Sequence, residues 1–211
     1  MKRKFLPLLS LILCLLILVP TTAAAPTVQQ GSQSGDVWDL QFRLHTVGYY
    51  QHSIDGIFGY HTLTAVSRFQ QNYGLKVDGI AGPQTWSALK RVSANASELT
   101  MLARVIHGEA RGEPYEGKVA VAAVVLNRMQ SPDFPDKMAD VIFQPRAFTA
   151  VDDGQYYLQP DQSAYQAAMD ALRGWDPTNG ALYYFNPVTA TSAWIWTRQQ
   201  TGKIGKHVFA I

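Results

Sequence analysis

The chain has 211 residues, 47% of them hydrophobic and 16% charged, with 18 Lys and Arg against 16 Asp and Glu and one cysteine. This balance excludes a polycationic nucleic-acid-binding protein. A lone cysteine excludes a disulfide scaffold and a Cys-ligated zinc site, so stability must come from packing in one or two compact cores.

The first 25 residues have the order of a secretory signal peptide. Basic residues at 2–4 precede an apolar run at 6–19, and small residues at 22–25 follow. The run is short for a membrane span, so we expect no stable span after cleavage.

We favour the interpretation that the signal peptide is cleaved after Ala24. The alternatives are an uncleaved N-terminal anchor and a lipoprotein, and Cys14 lacks the small preceding residue that a lipoprotein needs. Cleavage removes three basic residues and the cysteine, which leaves 15 basic against 16 acidic residues, a net charge near −1. We therefore expect an exported protein with no thiol and no nucleic-acid partner.

Two polar, small-residue stretches, 26–35 and 92–97, are predicted to be linkers. They delimit a segment at 36–91 and a longer one at 98–211, both of a size that a domain can have.

The shorter segment contains an internal repeat. IDGIFGYHT at 54–62 matches VDGIAGPQT at 77–85 with an offset of 23 positions. Each Asp-Gly pair predicts a tight turn, and Thr62 and Thr85 are predicted to cap the helices that follow. Apolar periodicity predicts a bundle of about three helices.

The motifs DVWDLQFRLHTVGYY, IDGIFGYHTLTAVSRFQQNYGL and VDGIAGPQTWSAL resemble the peptidoglycan-binding domain 1 family. The resemblance implies a module that binds a wall polymer in a groove near the repeats. Tyr49 and Tyr50 are the candidate sugar platforms. Asp55 and Asp78 are further candidates, although fixing their own turns is the simpler role and the one we favour.

The longer segment begins with a helix. Asn95 and Glu98 form a capping-box pattern, and the helix that follows carries Glu109 near its end. Further helices are predicted at 115–129 and 161–172, and short aromatic or β-branched segments at 181–186, 193–198 and 206–211 predict a small β-element.

The chemistry available to this segment is that of carboxylates. The sequence contains no HExxH, GxSxG or P-loop motif, and its five histidines lack the spacing of a metal site. We therefore expect neither a metal nor a cofactor.

Glu109 in RVIHGEARGEP is the leading candidate for a general acid. It follows an apolar helix, and Gly108 and Gly112 are predicted to leave room for a polymer beside it. A partly desolvated glutamate has a raised pKa and can hold a proton near neutral pH. Glu113, one turn on, is its rival, and Arg111 is expected to pair with either. The alternative is a solvated helix terminus.

A second resemblance spans about 98–211. The motifs LARVIHGEARGEPYEGKVAVAAVVLNRMQSPDFP, VIFQPRAFTAVDDG, AYQAAMDALRGWDPTNGALYYFNPVTATSAWIWTRQ and IGKHVF resemble the cell-wall hydrolase family of spore cortex-lytic enzymes, the SleB/CwlJ type. The family implies a lysozyme-like or lytic-transglycosylase-like α+β fold with one catalytic glutamate, which matches Glu109.

Further expectations come from the same resemblance. It implies an exported enzyme of the spore cortex, inner-membrane surface or coat that degrades cortex glycan containing muramic-δ-lactam during germination. It also implies a regulatory partner protein.

A lytic transglycosylase needs only one acid, which then acts as a base and closes a 1,6-anhydro ring. Asp152 and Asp153 are the candidates for a second, hydrolytic carboxylate, although a simple turn is the favoured reading of VDDG. A muramidase, an amidase and an inactive wall-binding protein stay open as alternatives.

The remaining candidates for substrate binding are aromatic or polar. Tyr183 is expected to face the cleft while Tyr184 packs, because neighbouring strand residues alternate. Trp194 and Trp196 are predicted to share one face of a strand, as core residues or as a stacking surface. The full set of substrate-binding candidates is Arg111, Glu113, Phe148, Thr149, Tyr183, Tyr184, Asn186, Trp194 and Trp196.

Overall fold

A computed structural model describes residues 25–211, so the predicted signal peptide lies outside the described residues except for Ala25. The helices are α1 Gly35–Thr46, α2 Tyr60–Asn72, α3 Pro83–Val92, α4 Ala96–Ala110, α5 Tyr115–Gln130, α6 Met138–Ile142, α7 Thr149–Asp152 and α8 Gln162–Leu172. The strands are β1 Tyr183–Phe185, β2 Gln200–Ile204 and β3 His207–Ala210. This mainly helical fold with one small sheet is the predicted class.

A buried glutamine organises each repeat of the first domain. The Gln41 side-chain amide donates to Asp55 Oδ1 at 2.8 Å, the Ile57 carbonyl at 3.0 Å and Thr62 Oγ1 at 3.0 Å. Both ends of the amide are used, because its oxygen accepts from the backbone N–H groups of Asp55 and Gly56.

The second repeat reproduces this arrangement around Gln70. Its amide donates to Asp78 Oδ1, the Ile80 carbonyl and Thr85 Oγ1 at 3.0, 3.0 and 3.1 Å, and it accepts from the Gly79 N–H. The sequence repeat is therefore a repeated hydrogen-bond hub.

The predicted threonine caps are wrong. The N-cap residues are Gly59 for α2 and Gly82 for α3, and neither cap has a side chain that could accept a hydrogen bond. Thr62 and Thr85 lie inside the first helical turn, where their hydroxyls serve the glutamine hubs.

The stretch 26–35, predicted as a linker, is part of the folded domain. Val28 is buried and exchanges two backbone hydrogen bonds with Ala81, at 3.2 and 2.9 Å. Ser32 accepts from the Phe58 N–H at 2.9 Å, so the segment touches both repeats. Its polar side chains face outward while its backbone pairs, which composition alone does not show.

The stretch 92–97 is also not a free linker. Helix α3 ends at Val92, Ala94 is completely buried, and α4 starts at Ala96. The predicted capping box is confirmed: the Asn95 side chain accepts from the Glu98 N–H, and Glu98 accepts from the Asn95 N–H, both at 2.8 Å.

The second domain packs α4, α5 and α8 around an apolar core. Its sheet is antiparallel in the order β1-β3-β2, with Tyr184 of β1 opposite Phe209 of β3. Phe209 is fully buried against Ala120 and Val124 of α5. This contact fixes β1 next to the helical core.

The predicted β-element is correct at 181–186 and 206–211 and wrong at 193–198. Ile195–Thr197 is a single 3-10 turn, so Trp194 and Trp196 share no strand face. The remaining strand, β2 at Gln200–Ile204, is not predictable from its sequence, because it lacks aromatic or alternating apolar residues.

Replacing the buried hub glutamine should destabilise the first domain. We expect Gln70→Met to lower the free energy of unfolding by about 3 kcal/mol, because the buried Thr85 hydroxyl and the buried Gly79 N–H each lose a hydrogen bond. Urea unfolding followed by circular dichroism measures this. The neighbouring Gln71→Met is the matched control, since Gln71 is exposed; equal losses in both variants would contradict the hub.

Candidate active site

Glu109 lies in the last turn of α4, where three elements meet. Its Oε1 accepts from the backbone N–H of Ala150 in α7 at 2.6 Å, and its Oε2 accepts from the hydroxyl of Tyr184 in β1 at 2.8 Å. Two donors from separate parts of the chain therefore hold the carboxyl group in one orientation.

Gly108 makes this convergence possible. A Cβ atom at position 108 would collide with the Cβ of Ala150, so only glycine lets α7 approach α4 closely enough. The sequence predicts that both neighbouring glycines leave room for a polymer. Only Gly112 has open space around it, with nothing within 4 Å of an added Cβ.

Burial raises the pKa of Glu109 above its ordinary value. The Ala150 amide and the Tyr184 hydroxyl favour the charged form and oppose this rise, while the carboxylates of Asp153 and Asp152 add to it. The net effect is an acid that keeps its proton to a higher pH than a solvated glutamate.

The Glu109 side chain lines a cleft with a volume of about 700 Å³. Five of the predicted substrate-binding residues line it, namely Thr149, Tyr183, Tyr184, Asn186 and Trp194. The cleft is bounded by α4, α5, the start of α7, β1 and the loop that follows β1.

The two tyrosines of β1 do not divide their roles as predicted. Both line the cleft, and Tyr184, a substrate-binding candidate whose side chain was expected to pack, is the one whose hydroxyl reaches Glu109. The Tyr183 ring meets Trp194 edge-on at 5.1 Å between centroids. Strand alternation predicts that the two side chains differ in direction, but not which face of β1 meets α4.

Two aromatic candidates lie outside the cleft lining. Phe148 is buried beneath it, with its ring 6.5 Å from that of Tyr184. Trp196 packs its ring on Phe185 at 4.8 Å. Both support the walls of the cleft from behind.

Glu113, the rival acid, has a structural partner instead. Its Oε2 accepts from the backbone N–H of Lys206 at 2.9 Å, in the turn between β2 and β3. A side chain at Gly205 would collide with the same carboxylate. Glu113 therefore clamps the β-hairpin and does not line the cleft.

Arg111 pairs with neither glutamate, contrary to expectation. It donates to Gln155 Oε1 at 3.1 Å on the exposed surface. Asp153 also bonds to Gln155, through the backbone N–H at 3.0 Å and the side-chain amide at 2.7 Å, as expected for a turn residue. Asp152 lines the rim of the cleft but is exposed.

Three basic residues of the cleft lining were not predicted from the sequence. Arg128 and His207 lie at the floor, and Arg146 lies at the edge with a left-handed backbone, φ 64°. Arg128 carried a usable signal, because it continues the inward stripe of Val121 and Val125 on α5, where a charged residue is unexpected.

The candidate platforms of the first domain differ in exposure. Tyr50 is 3% exposed and donates to the Ser53 carbonyl, so the prediction that it offers a surface to sugars is wrong. Tyr49 is partly exposed, and its hydroxyl accepts from Asn72 at 2.9 Å.

Asp55 and Asp78 occupy equivalent places in the two repeats. Each accepts from a backbone N–H two residues on, Ile57 at 2.9 Å and Ile80 at 3.0 Å, which is the turn-fixing geometry.

Within residues 25–211 no helix is long and apolar enough to cross a membrane. The same residues contain no group of three or more His, Cys, Asp or Glu side chains arranged to hold a metal ion.

Comparisons with known proteins match both parts of the chain. A family profile described as "Cell Wall Hydrolase" matches residues 112–210, and one described as "Putative peptidoglycan binding domain" matches residues 33–89. The spore cortex-lytic enzyme of Bacillus cereus is 44% identical over 86% of this chain and 85% of its own length. That of Halalkalibacterium halodurans is 33% identical over 97% of both chains.

This chain belongs to the spore cortex-lytic enzyme family. Its second domain is also similar to a crystal structure of the catalytic domain of the Bacillus cereus SleB protein, with 58% identity, a TM-score of 0.54 and coverage of 56% of this chain and 93% of that one. The corresponding domain of a germination-specific lytic transglycosylase, SleB from Bacillus anthracis, gives 59% identity and the same TM-score, with coverage of 56% of this chain and 97% of that one. The family resemblance seen in the motifs is thereby confirmed.

Removing the Tyr184 hydroxyl should raise the pKa of Glu109 further. That hydroxyl donates to the carboxylate and so favours the charged form. We expect Tyr184→Phe to move the titration of the Glu109 carboxyl carbon, followed by ¹³C NMR, to higher pH. An unchanged or lower pKa would contradict the hydrogen bond, and Tyr157→Phe on the exposed surface is the control.

Adding a methyl group at position 108 should disturb the site, and adding one at 112 should not. We expect Gly108→Ala to lower the free energy of unfolding by about 2 kcal/mol, because α7 must move away from α4. Gly112→Ala is the matched control and should change it by less than about 0.5 kcal/mol. Thermal unfolding of the two variants side by side checks the difference.

Proposed function

We propose that this cortex-lytic family member is a lytic transglycosylase that cuts the glycan strands of spore-cortex peptidoglycan during germination. The observation that carries the proposal is Glu109, a carboxyl group with a raised pKa, held by two donors at a cleft large enough for a sugar strand. The Bacillus anthracis relative, whose catalytic domain is so similar, is described as a germination-specific lytic transglycosylase.

The first step uses Glu109 as an acid. The protonated carboxyl gives its proton to the bridging oxygen of the glycosidic bond, and the bond between that oxygen and C1 of the muramic sugar breaks. The resulting carboxylate is stabilised by the Ala150 N–H and the Tyr184 hydroxyl, which already point at it.

The second step uses the same group as a base. The Glu109 carboxylate takes the proton from the 6-hydroxyl of the muramic sugar, and O6 bonds to C1 to close a 1,6-anhydro ring. The proton lost in the first step returns in the second, and no water is consumed.

The carboxylates around the cleft favour this route over hydrolysis. In the described part of the chain, Asp152 is the one other acidic side chain that lines the cleft, and it is exposed at the rim. A hydrolase of the usual type needs a second carboxylate that is positioned to activate water or to attack C1. The presence of this second carboxylate, Asp152, in the cleft lining is the reason that a muramidase is kept as the second candidate.

The first domain fits a role in holding the enzyme on its polymer. We propose that it binds peptidoglycan glycan, with Tyr49 as the remaining platform candidate. Asp55 and Asp78 take part, on this proposal, by shaping the two repeat turns.

Export belongs to the same proposal, since cortex lies outside the cytoplasm. The signal-like segment at 1–25 supports it. Action at the cortex, the inner-membrane surface or the coat stays a prediction, as do the muramic-δ-lactam content of the substrate and a regulatory partner protein.

Replacing Glu109 by glutamine should stop cleavage without stopping binding. We expect Glu109→Gln to slow the loss of turbidity of purified cortex by about 10²–10⁴-fold, because the amide N–H is too weak an acid to protonate the leaving oxygen. Co-sedimentation with cortex should be unchanged. Glu116→Gln, an exposed carboxylate at the start of α5, is the control.

The products decide between the two candidate reactions. We expect mass spectrometry of cortex digested by the wild-type chain to show 1,6-anhydro-muramic ends, and Asp152→Asn to keep most of the activity. Reducing muramic ends together with an inactive Asp152→Asn variant would instead establish a muramidase, and freed peptides would establish an amidase.

A further inference from the structure

Arg128 is a buried cation at the floor of the cleft. It is 6% exposed, and it lines the same space as Glu109. Its Nε donates to the Leu182 carbonyl at 2.8 Å, which fixes the plane of the guanidinium against the start of β1.

Aromatic rings surround the guanidinium carbon of Arg128 on several sides. The Arg128 Cζ lies 5.0 Å from the ring centre of Phe148, 5.2 Å from that of Phe134 and 5.7 Å from that of Tyr183. Cation–π contacts of this kind partly replace the water that the charge has lost. They do not use its N–H groups.

No carboxylate neutralises Arg128 among residues 25–211, where none comes within 4.0 Å of its nitrogens. Arg43, the other buried arginine of the described chain, is paired with Asp39 at 3.1 Å and Glu98 at 3.0 Å. A buried guanidinium without a partner is costly, and arginine cannot escape the cost by losing its proton. Burial lowers the pKa of Arg128, and the fields of Tyr184, Tyr183 and Glu109 act against that change.

The unused part of the side chain borders the cleft. In the described part of the chain, hydrogen bonds to protein acceptors engage the Nε of Arg128 and not its two terminal nitrogens. Arginine has five N–H donors in a flat fork, so four are left for a ligand. A fork of donors with a full charge selects a strong, planar acceptor over a sugar hydroxyl.

We propose that Arg128 binds the carbonyl oxygen of an acyl substituent on the sugar next to the scissile bond. This inference rests on the proposed function, since it assumes a cell-wall glycan in the cleft. Such a glycan offers carbonyl oxygens on the 2-acetamido group and on the lactyl ether at O3 of muramic acid, where the carbonyl belongs to a carboxylate or to the amide formed from it. The ring of Tyr183 lies 5.7 Å from the guanidinium carbon, and the ring of Trp194 meets it edge-on in the same cleft, so the two rings give the apolar part of either substituent a surface to pack on.

The inference makes Arg128 a specificity residue. Binding through an acyl carbonyl would hold the sugar by its substituent and present its C1 oxygen to Glu109. A glycan without that substituent would leave the guanidinium unpaired and would lose affinity.

The test measures binding in a chain that does not cleave. A glycan fragment of two GlcNAc–MurNAc disaccharides is titrated by calorimetry into Glu109→Gln, and into the same variant with Arg128→Met or Arg128→Lys added. We expect Arg128→Met to weaken binding at least about tenfold, with part of that loss restored in Arg128→Lys, because a charge-assisted hydrogen bond is lost or made less well. Arg173→Met, at an exposed site on the same domain, is the control.

Two further fragments identify which acyl group is bound. One lacks the N-acetyl groups, and the other is an N-acetylglucosamine oligomer, which lacks the lactyl group. The penalty of Arg128→Met should vanish for the fragment without the group that Arg128 holds and should persist for the other.

A second measurement needs no change at Arg128. In ¹⁵N-arginine-labelled Glu109→Gln, we expect the side-chain signals of Arg128, assigned by their absence in the Arg128→Lys variant, to shift when the fragment is added. Unshifted signals with bound fragment would overturn the inference even if Arg128→Met failed to fold.

Other outcomes separate this inference from the proposed function. If Arg128→Met binds all fragments as tightly as Glu109→Gln alone, the inference fails and the transglycosylase proposal stands. The inference also fails if affinity is kept and Arg128→Met, made in the chain that retains Glu109, moves only the pH dependence of turnover, because Arg128 would then act on the ionisation of Glu109. If Glu109→Gln binds no fragment at all, both fail.

Discussion

The second domain depends on the burial of one carboxyl group between two donors. Glu109 sits at the end of α4, and its two oxygens are held by the Ala150 N–H and the Tyr184 hydroxyl. Burial raises the pKa of the acid, and the donors limit the rise and fix the geometry. A group that must give a proton and then take one back needs this balance, because either ionisation state alone would stall one of the two steps.

Other contacts in the second domain position these two hydrogen-bond donors. Gly108 lets α7 pack against α4, which places the Ala150 N–H. Phe209 packs the sheet against α5, which places Tyr184 of β1 next to Glu109. Glu113 holds the β2–β3 turn through Lys206, which keeps β3 beside β1. A second acidic residue near the catalytic candidate thus has a structural task of its own.

The two buried arginines of the described chain show how the same residue type serves different ends. Arg43 is neutralised by Asp39 and Glu98 and joins α1 to the start of α4. Arg128 has no such partner and faces the cleft. A buried charge that has no partner in the fold destabilises the protein when no ligand is bound. It becomes useful only when a bound ligand pairs with it.

Local sequence patterns predict the main helices of the second domain, most of its sheet and the carboxylate chemistry of its site. Periodicity and capping patterns predicted α4, α5 and α8 and two of the three strands, and the motifs indicated a single acidic residue, Glu109. Local signals suffice there because helix caps and apolar stripes depend on residues within a few positions. Packing between elements far apart in the chain brings Tyr184 rather than Tyr183 to Glu109, buries Tyr50, and places Arg128 in the cleft without a carboxylate partner. Those outcomes depend on which faces of distant elements touch, and positions 109, 150 and 184 come together only when α4, α7 and β1 pack, a fact that no local pattern encodes.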